Sequence, residues 1–225
     1  MDRATLAGMI DQTLLTPTIS AGEARAWCLE QRGYGFAALC VAPLVVEEAV
    51  AALAGTGTPV CAVVGFPLGF DLPVANAFHA ARLVEAGALE IDMVLPIGQL
   101  VAGDDEAVFD DIAGVVQAVR AASDGAGLVK VILETGYLDD EAVVRGCTLA
   151  EQAAADFVKT STGFGPGVAT VHHVALMRET VGDRMGVKAS GGIRTTDDAL
   201  ALIEAGASRI GTSAGATLLD GLPEG

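Results

Sequence analysis

The sequence predicts a single-domain α/β protein of the (β/α)8 (TIM) barrel class, on three observations. Short runs rich in Val and Ile alternate with Ala-rich segments of helical period along the whole chain, the pattern of repeated strand-helix units and a parallel sheet. Eight such runs occur with no linker, low-complexity tract or composition break, so residues 1–225 read as one domain. Glycine-rich turns cluster late, and no Gly-x-Gly-x-x-Gly follows the first strand, which places an open doubly wound sheet second.

Taken in order, strands are expected over residues 8–14, 35–41, 59–65, 89–95, 128–134, 157–161, 185–190 and 208–212. The helix over 21–32 follows a capping-box-like Ser20-Ala21-Gly22-Glu23. Further helices are read over 43–54, 73–86, 105–122, 139–155, 169–181 and 196–205, the last two opened by Gly-rich turns. Three of them hand over to the next strand through Glu-Ala-Gly-Ala or a close relative, at 85–88, 153–156 and 204–207.

With 225 residues, 52% of them hydrophobic, the chain can build a large core. The formal charge of −16 arises from 29 Asp and Glu against 13 Lys and Arg, so nucleic acid and anionic membranes are excluded as partners. No apolar run approaches the roughly 18 residues a membrane span requires, and the start, Met-Asp-Arg-Ala-Thr-Leu, lacks a signal-type pattern. Cys28, Cys40, Cys61 and Cys147 show neither metal-ligand spacing nor the density of a disulfide scaffold. A cytoplasmic protein with reduced thiols is expected.

Only three lysines occur, against ten arginines, and each follows Val inside a predicted strand: Lys130 in Leu-Val-Lys-Val, Lys159 in Phe-Val-Lys-Thr and Lys188 in Gly-Val-Lys-Ala. A lone lysine at a strand end ordinarily reaches out to water. Three of three in strands calls for chemistry instead. If they and Asp92, in Glu-Ile-Asp-Met-Val, all point inward, three cations share one anion, and one lysine should lose its proton. A neutral lysine is what a Schiff-base nucleophile needs, and lowering its pKa by roughly three units takes about 4 kcal/mol of differential interaction. Lys159 and Lys188, on neighbouring strands, can supply it to each other. Asp92 is then an ion-pair partner, a general acid/base, or both.

Active sites of such barrels lie at the C-terminal ends of the strands, often with phosphate held after strands seven and eight. Ser190-Gly191-Gly192-Ile193-Arg194 and Gly211-Thr212-Ser213-Ala214-Gly215 occupy those positions. Their backbone N–H groups, with Arg194 and Ser213, suit a phosphate. His79, His172 and His173 form no metal set, and no Gly-x-Ser-x-Gly element occurs, so neither a metal nor a serine nucleophile is assigned.

These stretches together resemble the 2-deoxyribose-5-phosphate aldolase family of class I, Schiff-base aldolases, which are (β/α)8 barrels. The resemblance covers nearly the whole chain and is carried best by Asp-Phe-Val-Lys-Thr-Ser-Thr-Gly-Phe at 156–164 and Val-Lys-Ala-Ser-Gly-Gly-Ile-Arg at 187–194. It implies Lys159 as nucleophile, Lys188 as the neighbour that lowers its pKa, and Asp92 as the proton-transfer carboxylate. It further implies Asp11 and Thr162 in a supporting polar network, and Gly163, Gly191, Gly192, Gly211 and Ser213 around the phosphate. The expected reaction is reversible cleavage of 2-deoxy-D-ribose 5-phosphate to D-glyceraldehyde 3-phosphate and acetaldehyde, without metal or organic cofactor. A homodimer or homotetramer is expected by the same resemblance.

Gln12, Thr16, Ala42, Asn76 and His79 depart from residues common in the family, and the stretch 219–225 lacks a tyrosine that some members place over the site. Two alternatives stand beside this reading: a Schiff-base aldolase for another phosphorylated sugar or keto acid, and a sugar-phosphate-binding barrel without turnover.

Overall fold

The computed structural model describes residues 1–222; the last three residues of the predicted domain lie outside it. Eight parallel strands close into one barrel in sequence order: β1 (Ile10–Leu14), β2 (Ala38–Val41), β3 (Val60–Val64), β4 (Glu90–Val94), β5 (Leu128–Ile132), β6 (Phe157–Lys159), β7 (Gly186–Ser190) and β8 (Arg209–Thr212). Closure comes from β1 against β8, with Asp11 beside Gly211. All eight predicted strands are present, each trimmed by up to three residues at an end.

Around them run α1 (Arg3–Ala7), α2 (Ala21–Gln31), α3 (Val46–Leu53), α4 (Pro73–Glu85), α5 (Ile97–Ala102), α6 (Asp105–Ala122), α7 (Asp140–Gln152), α8 (Val171–Val181), α9 (Thr196–Glu204) and α10 (Gly215–Asp220). The capping box at Ser20 is formed, Ser20 Oγ accepting from Glu23 N while the Glu23 side chain accepts from Ser20 N. Helices α1, α5 and α10 were not expected; each spans only five or six residues, too few to show a helical period. The first strand starts two residues late because Asp2 caps α1 and the chain must turn at Gly8. Among the described residues no helix is long and apolar enough to cross a membrane.

Strand alternation sorts the interior into two compartments. Leu39, Val41, Ala62, Val64, Ile91, Met93, Val129, Val131, Val158, Val187 and Ile210 face outward and join the helices in the main apolar core. The lumen holds a separate apolar cluster of Ala38, Cys40, Cys61 and Val63 from β2 and β3. On the other strands the lumen is charged. Two glycines make room for it: a Cβ at Gly186 would lie 2.1 Å from the Phe157 ring, and one at Gly211 3.0 Å from Lys188 Cε.

Candidate active site

Alternation places Glu90 and Asp92 on one face of β4, Lys130 on β5, Lys159 on β6, Lys188 on β7, Arg209 on β8 and Asp11 on β1. Their charged ends meet in the lumen. Asp92 is fully buried and serves all three lysines: Oδ1 accepts from Lys130 at 2.9 Å, Oδ2 from Lys159 at 2.6 Å and from Lys188 at 2.8 Å. Asp11 Oδ2 accepts from Lys188 at 2.5 Å and lies 3.4 Å from Lys130, while Oδ1 accepts from Arg209 at 2.5 Å. Glu90 pairs with Lys130 at 2.6 Å and with Arg209 at 3.4 Å. Arg209 also lies over the Phe157 ring, 5.6 Å from its centroid.

The expectation of three cations on one anion is therefore corrected. Among the described residues the lumen holds four cations and three carboxylates, because Glu90 and Arg209 join the group. A period-two signal could have found Glu90, two residues before Asp92. Arg209 could have been found two residues before Gly211.

Burial by itself would raise the Asp92 carboxyl, yet the Lys130, Lys159 and Lys188 ammoniums hold it well below the usual carboxylate range. Asp11 is likewise lowered against burial, by Lys188, Lys130 and Arg209. Burial would push Lys188 down, but Asp11 and Asp92 outweigh it and hold Lys188 above lysine's ordinary value. Lys130 is raised well above it, with Asp92 the largest influence opposing desolvation. Lys188 and Lys130 are thus fixed cations. Burial and its hydrogen bond with Cys40 push the Cys61 thiol well up, so its S–H donates to Asp92 Oδ1 at 3.1 Å. Cys40, Cys61 and Asp92 lie close enough to hold an ion together. Three ammoniums on Asp92 and a Lys130 N–H on Cys61 make that corner unsuited to a metal cation.

Above the charges, at the C-terminal ends of the strands, opens a cavity of about 410 Å³. Lys159 is the only one of the three lysines that lines it. Thr162, Gly163, Gly191, Gly192, Arg194, Gly211 and Ser213 line it too, so the residues expected around a phosphate are brought to one wall beside the lysine. Gly163, Gly191 and Gly192 take φ of +84°, +96° and +77°. Glycine takes these left-handed conformations at no steric cost. The N–H groups of Gly163, Gly191, Gly192 and Ser213 bond to no other protein group among the described residues. Asp11 does not reach the cavity; it lies beneath, in the ion network.

Comparison with known proteins bears on what this arrangement is for. Residues 26–219 match the family described as DeoC/LacD family aldolase. The chain belongs to the DeoC/LacD aldolase family. It is 51% identical over 215 residues to a deoxyribose-phosphate aldolase of Thermoanaerobacter sp. (strain X514), covering 96% of both chains. To a deoxyribose-phosphate aldolase of Listeria monocytogenes serotype 4a it is 50% identical over 217 residues, again 96% of each. Among solved structures, the tetrameric deoxyribose phosphate aldolase from Aeropyrum pernix superposes with a TM-score of 0.89 at 33% identity, over 97% of this chain and 91% of that one.

The positions where this DeoC/LacD aldolase departs from common family residues mostly lie off the wall that Lys159 lines. Gln12 points outward from β1 and accepts from Gly215 N at 3.0 Å, tying β1 to the start of α10. Asn76 is buried between α4 and α6, donating to Asp111 at 3.0 Å. Ala42 and His79 line a smaller neighbouring cavity of about 180 Å³. Thr16 alone among these lines the main cavity. His172 pairs with Asp140 at the surface, where His173 joins them.

Proposed function

We propose that this chain is a deoxyribose-phosphate aldolase that cleaves 2-deoxy-D-ribose 5-phosphate reversibly to D-glyceraldehyde 3-phosphate and acetaldehyde through a Schiff base on Lys159. The observation that carries the reading is the imbalance of four cations over three carboxylates, with Lys159 the lysine at the cavity. Losing one proton neutralises the cluster. Lys130 and Lys188 each touch more than one carboxylate, whereas Lys159 touches only Asp92. Lys159 is therefore the lysine with the fewest ionic contacts and the one open to a substrate.

A neutral Lys159 donates one N–H to Asp92 and keeps its lone pair for the C1 aldehyde. Addition gives a carbinolamine, and loss of water gives the iminium. Removal of the C3 hydroxyl proton then sends the C2–C3 bonding pair into the iminium, leaving an enamine and releasing glyceraldehyde 3-phosphate. The bond is C2–C3, because acetaldehyde carries C1 and C2; a C3–C4 break would not give these products. Protonation at C2 and hydrolysis return acetaldehyde and free lysine. Asp92 is enclosed, so protons travel between it and substrate through lysine N–H groups or a water in the cavity. Gly163, Gly191, Gly192, Gly211, Ser213 and Arg194 hold the phosphate.

The proposal takes the whole chain as one catalytic domain working in the cytoplasm and self-associating. Support for association comes from Phe70, Leu72, Val74 and Phe78, a strip at the start of α4 with each side chain at least 68% exposed. Borohydride reduction in the presence of acetaldehyde, followed by peptide mass spectrometry, tests the reading. An added ethyl group, a net gain of C2H4, is expected on Lys159, and none in Lys159→Ala. Trapping only with a keto acid or ketone would shift the substrate, and no adduct with intact phosphate-ester binding would leave a non-catalytic barrel.

A further inference from the structure

Beside the lumen network stands a second buried carboxylate that the chemistry above does not use. Glu134 lies two residues beyond the end of β5 with φ 57° and ψ 62°. A residue with a Cβ adopts this left-handed conformation only against steric resistance. Its side chain is buried, and no cation pairs with it among the described residues. Oε2 accepts from Thr162 N at 3.0 Å and from the Thr162 hydroxyl, while Oε1 has no partner. A buried, unpaired carboxylate in a strained backbone is disfavoured twice over, which points to a function for it.

The contacts show what it holds. Thr162 Oγ1 gives its hydrogen to Glu134 and accepts from Phe164 N at 3.0 Å, so the carboxylate sets three successive residues through one hydroxyl. Gly165 packs directly on the carboxylate: a Cβ there would lie 2.7 Å from Glu134 Cδ. Gly136 and Gly167 pack backbone on backbone, a Cβ at Gly136 falling 2.6 Å from Gly167 N. Thr162, Gly163 and Phe164 form the wall of the cavity next to Lys159. Both Thr162 donors are thus taken up by Glu134, and the Gly163 N–H beside them bonds to no protein group among the described residues.

We infer that Glu134 is a positioning residue that selects phosphorylated over unphosphorylated sugar, by fixing the 162–165 loop so that the Gly163 N–H faces the phosphate. It rests on the aldolase reading for its substrate and on geometry alone for the loop. Thr162 contributes shape, having no hydrogen left to donate to substrate.

Glu134→Gly separates side chain from backbone, since glycine takes the left-handed conformation freely. Hydrogen exchange of the peptide spanning 160–167 should accelerate about tenfold or more in this variant, the loss of a hydrogen bond to a charged group. On the same basis kcat/KM for 2-deoxyribose 5-phosphate should fall about tenfold or more, mainly through KM, while that for 2-deoxyribose changes less than about threefold. Glu134→Gln, which keeps an acceptor for both Thr162 donors, should restore most of the discrimination. If Glu134→Gly does not fold, Thr162→Val reports the same ratio. Unchanged exchange, or an equal fall for both sugars, overturns the inference. A wild-type protein that cleaves neither sugar sinks the aldolase reading, and the exchange measurement still decides the loop.

Discussion

Lys130 and Lys159 sit one strand apart in the same lumen, and their surroundings differ in two respects. Lys130 is sealed and within 3.4 Å of three carboxylates, Asp11, Glu90 and Asp92. Lys159 touches one carboxylate and reaches the cavity. The floor of the lumen is a saturated ion cluster, and its mouth is an unsaturated one. On the proposed mechanism, reactivity follows from incomplete neutralisation next to open space, so the same residue type would serve as a structural cation at one depth and as a nucleophile at the other.

That contrast can be broken most severely at the floor. Lys130→Met leaves Asp11, Glu90 and Asp92 short of their shared partner in a buried site, and a loss of about 3–5 kcal/mol in urea unfolding is expected. A loss below about 1 kcal/mol would mean the floor is wetter than the geometry shows.

At the boundary between floor and mouth, Lys188→Leu removes the fixed charge beside Lys159 and frees two carboxylates to hold the Lys159 proton. The pH-rate profile should move to higher pH, and the rate at neutral pH should drop about ten- to a hundredfold. An unmoved profile would refute the charge account and leave the Schiff base intact.

On the rim, Arg194→Ala is milder, because Arg194 is exposed and backbone N–H groups would share its proposed task. A rise of about tenfold in KM for the phosphorylated sugar with kcat retained is expected. The smallest effect comes from pH between the two limits. Asp11 and Asp92 are lowered in the fold, so their contribution is complete above the unfolded carboxylate range and is lost as pH falls through their folded values. Lys130 and Lys188 are raised, so theirs is complete below the unfolded lysine value and is lost as pH rises through the folded one. The contribution of these four groups to the melting temperature should therefore be nearly level from about pH 5 to pH 9.

Much of the site was legible because its residues interrupt apolar strands. Lys159, Lys188 and Asp92 stand out against Val and Ile, and the late glycine turns fall where a barrel presents its loops. Glu90 and Arg209 were missed for the opposite reason: each begins a strand, where a charged residue ordinarily meets water. Glu134 was read as the last residue of a strand, and nothing local marks its left-handed turn.

By itself, then, the order of apolar and polar residues determined the eight strands, the longer helices between them, and which side chains share a strand face, because strand and helix periods are local properties. The tertiary structure decided which charges neutralise one another. Asp11 and Arg209 meet only because β1 closes on β8, and the difference between Lys130 and Lys159 is one of depth, a coordinate that exists only after the barrel has closed.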